Sequence, residues 1–224
     1  MIEFKCAGTG SSGNLYSLFS NKKYLLLDAG LSLPEIKKLI GFRIADVCGC
    51  VVSHSHKDHS RAVKDLQRIC VPTWTPYEIS DNVTSRRRFD VFTATCFPLP
   101  HDVTNYGYLI EVDDEKILYM TDFMYCPYNF KTQKINHMII ECNYSTNVVK
   151  DELPQFSHKV FGHCEQKTAE EFIRQNQTSE LKTVIYIHMG EGLAPRNDIE
   201  SSVRAILGEN TAFYFASKGL CVNL

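Results

Sequence analysis

His54, His56, Asp58 and His59 crowd three imidazoles and a carboxylate into six positions, at the end of the run VCGCVVSHSHKDHS over 47–60. Such a cluster is costly unless something holds it, and a divalent cation removes the mutual repulsion and desolvation. His54 and His56 point the same way on an extended segment, because side chains on a strand repeat with period two. Asp58 and His59 begin the turn toward the next helix and face a second ion. His101, Asp122 and His188 occupy the same kind of position, each following or ending an apolar run, where a polar side chain has left the core for a rim. The sum is five histidines and two carboxylates. That is too many donors for one tetrahedral zinc, and it suits two divalent ions sharing an aspartate. The expected allocation puts His54, His56 and His101 on the first ion and Asp58, His59 and His188 on the second, with Asp122 bridging.

Two neighbouring divalent ions, zinc or manganese, lower the pKa of a water and polarise a phosphodiester or carbonyl oxygen. A general acid must then protonate the leaving group. His163, in GHCEQ, follows a short apolar run and precedes a helix, and is the candidate. Asp58 and His163 are thus the expected catalytic residues, and His163 is also an expected substrate contact. Glu141, late in an apolar strand, is placed to orient a ligand histidine. Asn143, Ser53 and Thr121 are further supporting candidates. Asp28 closes an apolar run and is expected to bond the backbone in preference to the metal loop. His137 and His158 read as surface or structural residues. Arg86, Arg87 and Arg88 form either a phosphate-contacting edge or a solvated turn.

The elements that must hold these residues are mostly strands. Residues 2–7, 16–20, 23–30, 47–52, 71–75, 89–100, 104–112, 116–122, 137–143 and 182–190 read as strands, and 211–224 supplies two more. Residues 76–90, with the three arginines, read as a polar connector. Ser32 caps a helix over 32–40, with Pro34 in its first turn and Glu35 three residues after the cap. An amphipathic helix is expected over 60–70 and another from Gln166 or Thr168. Asn197 and Glu200 form a capping box for a helix running to Leu207. Residues 144–157 read as a polar flap or helix. The chain looks like two halves, each strands first and helices after, with no clean boundary. This fits an α+β fold of two sheets packed face to face with helices outside, one domain over 1–224.

At 224 residues and 44% hydrophobic content the chain can bury a substantial core. It has no apolar window long enough to span a membrane, and MIEFKCAGTG runs straight into a strand without a leader pattern. Nine cysteines without close paired spacing fit free thiols of a reducing compartment, so a cytoplasmic location is expected. Cys48 and Cys50 are expected to face opposite ways. A net charge of -2 gives no broad cationic surface for duplex nucleic acid.

His54-x-His56-x-Asp58-His59, followed by His101, Asp122 and His188, resembles the motif series of the metallo-β-lactamase superfamily over nearly the whole chain. GTGSSGN, LLLDAG and HDVTNYGYLIE are similar to its WalJ/YycJ-like branch, which is related to tRNA-maturation nucleases and a phosphonate-pathway phosphodiesterase. The resemblance implies a four-layer α-β/β-α sandwich and phosphodiester hydrolysis. Lactamases usually carry cysteine at the Asp122 position, which argues against that activity. In that branch the GHCEQ segment usually reads Gly-His-Leu-Ser-Asn; His163 stays and the rest differs, which leaves substrate preference open. The implied substrate is a nucleotide or single-stranded nucleic acid, with a single-strand exonuclease first. A cyclic nucleotide phosphodiesterase of the phage anti-defence type is the alternative, and a thioester hydrolase a weaker one. Trp74 and Tyr77 are candidate stacking faces for a strand; Tyr125, Tyr128 and Phe130 are candidates for a nucleotide pocket. A homodimer is compatible with this reading.

Overall fold

The computed structural model describes residues 1–80, 82–148 and 162–224. One sheet combines β1 (Glu3–Gly8), β2 (Leu15–Ser20), β3 (Lys23–Leu27), β4 (Val47–Val51) and β5 (Thr73–Trp74) with the late β13 (Cys221–Asn223), in the order β13-β1-β2-β3-β4-β5. The other holds β6 (Ser85–Phe89), β7 (Phe92–Leu99), β8 (Asn105–Val112), β9 (Glu115–Met120), β10 (His137–Glu141), β11 (Thr183–Ile187) and β12 (Ala212–Phe215), in the order β12-β11-β10-β9-β8-β7-β6. Helices α1 (Leu33–Leu39), α2 (Lys57–Ser60), α3 (Val63–Arg68), α4 (Gln166–Asn176) and α5 (Arg196–Arg204) complete the described elements.

The layering follows from apolar residues on both faces of the strands. Leu25 and Leu27 of β3 face inward to Ile117, Tyr119, Ile139, Ile185 and Ile187 of the other sheet. Their alternates Tyr24 and Leu26 face outward, where Ile36, Val63 and Leu66 of α1 and α3 cover them. On the second sheet Met138, Ile140, Val184 and Tyr186 pack outward against Ala169, Phe172, Ile173, Ile199 and Val203 of α4 and α5. The result is helices, sheet, sheet, helices.

Strand direction gathers the site at one rim. β3, β4 and β5 pair parallel, as do β9, β10, β11 and β12. Two successive antiparallel pairings turn β7 back into the direction of β9, and likewise β1 into that of β3. The carboxyl ends of β1, β3, β4, β7, β9, β10 and β11 therefore carry Thr9, Asp28, His54, His101, Asp122, Glu141 and His188 toward the same mouth. Ligand sites of open parallel sheets favour this edge.

Several local expectations change. The three arginines lie on edge strand β6, paired antiparallel to β7, and not on a connector; β6 turns into β7 through Asp90 at φ 56°. The helix expected over 60–70 is broken into α2 and α3 around Arg61 and Ala62. Pro195 is the N-cap of α5, which places Asn197 in its first turn, and Glu200 pairs with Arg204 at 2.9 Å instead of capping. Glu35 does accept the Ser32 backbone N–H at 3.0 Å. Regular alternation would put Cys48 and Cys50 on one face. A bulge that leaves Cys48 as the extra residue opposite β3 sends them to different sides of the sheet.

Candidate metal centre

Asp28, Asp122 and His188 leave their strands in the left-handed region, with φ of 57°, 50° and 51°. That conformation is uncommon for residues with a side chain, least so for Asp, Asn and His, and costs on the order of 1 kcal/mol. It turns each side chain back over the strand ends. Hydrogen bonds hold all three. Thr121 Oγ donates to Asp122 Oδ1 at 2.7 Å, and the Asn105 amide donates to the carbonyls of Thr121 and Asp122. The His188 N–H donates to Thr9 Oγ at 2.7 Å, from across the two sheets. Tyr119 OH donates to Asp28 Oδ2 at 2.5 Å.

The ligand loop after β4 is tied as tightly. The Asp58 carbonyl accepts from Asn14 N at 2.7 Å, and the His59 carbonyl from Ala29 N at 2.8 Å. Gly30 makes this approach possible: a Cβ there would stand 1.6 Å from the Asp58 carbonyl oxygen.

The structure brings the seven residues together in two groups, His54, His56, His101 and Asp122 in one, Asp58, His59, Asp122 and His188 in the other. Within each group one donor atom per residue lies within 4.8 Å of the rest; Asp122 belongs to both, and also to a third such group with Glu141, His163 and His188. His54, His59, Asp122 and His188 are buried, whereas His56 is half-buried. His54 Nε2, His101 Nδ1 and His188 Nε2 are buried and have no hydrogen-bond partner among the described residues. An unsatisfied buried polar atom costs about 1–3 kcal/mol. Several gathered with carboxylates in one place are what a cation would relieve. The donor set of imidazole and carboxylate fits divalent ions, so the site has the capacity to bind them.

Electrostatics points the same way. Burial opposes charge on His188, yet Asp122, Asp58 and Glu141 push its pKa up to about 10. His59 is likewise pushed up against its burial by Asp122 and Asp28. Burial and the neighbouring His59 hold His54 down. Burial alone would raise Asp58 and Asp122, but His188 and His59 hold both carboxyls well below the ordinary range. Without a cation, His188 thus carries a proton near pH 7 that helps balance the carboxylates. A ligand imidazole must be neutral, so loading displaces it. Proton release is expected on metal uptake near pH 7, and affinity should climb as the pH rises toward 10. Calorimetry in buffers of different ionisation enthalpy measures this; uptake without proton release would contradict it.

Glu141 is a wholly buried hub. Its Oε1 lies 2.8 Å from His163 Nδ1 and 2.9 Å from His188 Nδ1, and its Oε2 accepts the N–H groups of Phe123 and Cys164 at 3.1 and 3.2 Å. Burial would raise its pKa, but His163 and His188 keep it low and ionised. Nδ1–H donation to Glu141 leaves Nε2 of both rings for the site. Asn143 braces the hub, its amide 3.2 Å from Glu141 Oε1 and 2.9 Å from the His188 carbonyl. The His163 ring stacks on His188 at 5.2 Å and stands 6.0 Å from His101.

Asp28 does more than bond the backbone. It accepts Ser53 N at 2.7 Å and also lies 2.7 Å from His59 Nδ1, fixing that ring's tautomer. Ser53 Oγ sits between Asp28, His54 Nδ1 and His59 Nδ1. Asn14 approaches His59 from the other side, its amide 2.8 Å from Nε2. Asp28→Asn is expected to weaken metal affinity about 10–100-fold with the fold retained. Equilibrium dialysis reads the affinity, and an unchanged value would remove the orienting role.

Sequence reading passed over Asn14, Asn105 and Thr9, and gave Asp28 the lesser role. The GTGSSGN run and the Asp closing LLLDAG were the available signals. A cleft of about 670 Å³ opens beside His101, and Asp102, Thr104 and Tyr128 line it. The three arginines do not line that cleft: Arg86 pairs with Glu111 at 2.7 Å, Arg88 donates to the Asp90 carbonyl and Arg87 lies over Trp74. Trp74 is 1% exposed and packs in the inter-sheet core, which corrects its reading as a stacking face. Phe130 is also buried, against Phe97 and Phe172. His137 is buried beside Glu115, a structural position. His158 and residues 149–157 lie outside the described residues.

Two sheets between helices, with clustered metal-ligand residues at one rim, define a metallohydrolase-type sandwich. The family model of the metallo-β-lactamase superfamily matches residues 8–121, and the chain belongs to that superfamily. Among characterised relatives it is 27% identical over 173 residues to exodeoxyribonuclease YycJ of Bacillus anthracis, a match spanning 66% of each chain. It is 25% identical over 175 residues to exodeoxyribonuclease WalJ of Streptococcus pneumoniae, spanning 66% of this chain and 65% of that one. The chain therefore matches just under two thirds of these relatives' length. The fold is shared with the metallo-β-lactamase fold protein YhfI of Bacillus subtilis (TM-score 0.73, 16% identity, 100% of both chains). It is shared also with a diphosphatase of the PhnP family (TM-score 0.66, 13% identity, 99% of this chain and 96% of that one). Among the described residues no helix is long and apolar enough to cross a membrane.

Proposed function

We propose that the chain, read as one domain, is a two-metal phosphodiester hydrolase that acts on single-stranded nucleic acid from an end. One observation carries the chemistry: two groups of candidate metal-ligand side chains share the buried Asp122, and imidazole nitrogens within them lack hydrogen-bond partners among the described residues. The likeness to two proteins named exodeoxyribonucleases supports the substrate class. In this reading His54, His56, His101 and Asp122 would hold one zinc or manganese ion, and Asp58, His59, His188 and Asp122 the other. Such ions supply Lewis acidity that lowers the pKa of a nucleophilic water and polarises the phosphoryl group.

The chain's own residues do the rest. Asp28 and Glu141 accept hydrogen bonds from Nδ1–H of His59 and His188 and aim Nε2 of each ring inward. Buried His54, His59, Asp122 and His188 form a dry wall that strengthens charge interactions at the mouth. His163, held by Glu141 through Nδ1, keeps Nε2 for donation to the leaving oxygen.

Product analysis tests the proposal, with single-stranded DNA, RNA and cyclic nucleotides offered side by side under added zinc or manganese. Stepwise release of mononucleotides from single-stranded DNA is expected. Turnover of cyclic nucleotides with the strands left intact would move the activity to the alternative substrate.

A further inference from the structure

We propose that Lys57, Arg61 and Lys64 form a track for the sugar–phosphate backbone of a single strand and lead it to the metal centre. The inference rests on the phosphodiesterase reading and adds a binding surface to it. The three cations recur at i, i+4 and i+7 through α2 and α3. Arg61 keeps right-handed helical angles, φ -48° and ψ -45°, which carries the turn one residue past α2, and Ala62 at φ -98° and ψ 7° ends it before α3. Lys57 and Arg61, four apart on that turn, stand about 5–6 Å from one another at Cβ, a separation an extended strand can match with successive phosphates, and Lys64 joins them on the lining of one cleft.

All three side chains are exposed, and none makes an ion pair or hydrogen bond among the described residues. Arg68, Arg86 and Arg204, by contrast, pair with Asp65, Glu111 and Glu200. In a chain of net charge -2 this strip of three cations is a local feature and no consequence of overall basicity. Clefts lie on both sides of it. Lys57, Arg61 and Asp58 line one of about 320 Å³, together with Ser11 and Ser12. Lys57, Arg61 and Lys64 line the other, of about 460 Å³, together with the half-buried Tyr77 and with Glu78, whose carboxylate accepts from Thr75 Oγ1 at 2.6 Å. Asp58 lines the first cleft and also belongs to the second ligand group, so a strand laid along the cations ends at a residue of the candidate metal centre. Tyr77 offers a ring face at the far end, the other element of single-strand binding.

Fluorescence anisotropy of a labelled 12-nucleotide phosphorothioate oligo(dT), on the manganese-loaded chain across a salt series, tests the track. Each phosphate contact contributes about 0.7 to the slope of log affinity against log salt for single strands. The triple variant Lys57→Ala, Arg61→Ala, Lys64→Ala should lower that slope by about 2 and weaken binding at 0.1 M salt about tenfold or more. The charge-keeping set Lys57→Arg, Arg61→Lys, Lys64→Arg should restore the slope, and Lys131→Ala with Lys134→Ala should leave it as it was. An unchanged slope in the triple variant overturns the track. So does a slope that falls only when Arg86 and Arg87 are removed, which would send the strand along β6. Hydrolysis of bis(p-nitrophenyl) phosphate by the unaltered chain separates the failures. Its absence removes the diesterase reading and the track with it; its presence with an unchanged slope removes the track alone.

Discussion

Asp122→Asn is expected to lower diesterase turnover by on the order of a thousandfold or more, well beyond the about 10–100-fold that loss of an outer partner brings. Asp122 is the residue common to both ligand groups, and it is 2% exposed. Asparagine is nearly isosteric and tolerates the left-handed φ of 50° found there. The backbone turn should therefore survive, and the loss reports charge and not strain. His188, which Asp122 helps to hold protonated in the free cage, would lose that support. Turnover and bound metal are measured together at saturating manganese. Near-normal values of both would show that the two groups do not work through a shared carboxylate.

His163→Ala should cost about 10²–10⁴-fold on substrates with poor alkoxide leaving groups and little on activated aryl diesters. The difference follows from what the ring is asked to do. A nitrophenolate departs without a proton; a nucleoside alkoxide does not. Glu141 anchors His163 Nδ1 at 2.8 Å and His188 Nδ1 at 2.9 Å, so Glu141→Gln should disturb both acid and cage, whereas His163→Ala should spare metal binding. Equal losses on both substrate types would remove His163 as the acid and leave it a structural neighbour of His188.

Much of this arrangement is legible in residue order, for a physical reason. An apolar strand that ends in His or Asp has nowhere to put that side chain but the rim, and strands of one direction share a rim. His101, Asp122 and His188 could therefore be grouped with the cluster at 54–59. The two-sheet architecture was readable too, since Leu25 and Leu27 alternate with Tyr24 and Leu26 and both sets are apolar. Contacts set by sheet-on-sheet packing were not. Asp28 at the end of an apolar run looks the same whether it serves the backbone or His59, which is 31 residues away. Thr9 reaches His188 across 179 residues, and no local pattern announces such a pairing. Strand β6 was hidden because three consecutive arginines mask the alternation that marks a strand; Ser85 to Phe89 is held by its pairing with β7, with Phe89 its one buried residue. Trp74 was misread because an aromatic beside a polar segment carries no mark of which way it points.

The most direct test is a crystal of the manganese-loaded chain with anomalous scattering recorded at the metal. Two peaks are expected, one among His54, His56, His101 and Asp122, the other among Asp58, His59, His188 and Asp122. A single ion, or ions bound away from Asp122, would contradict the account at its root.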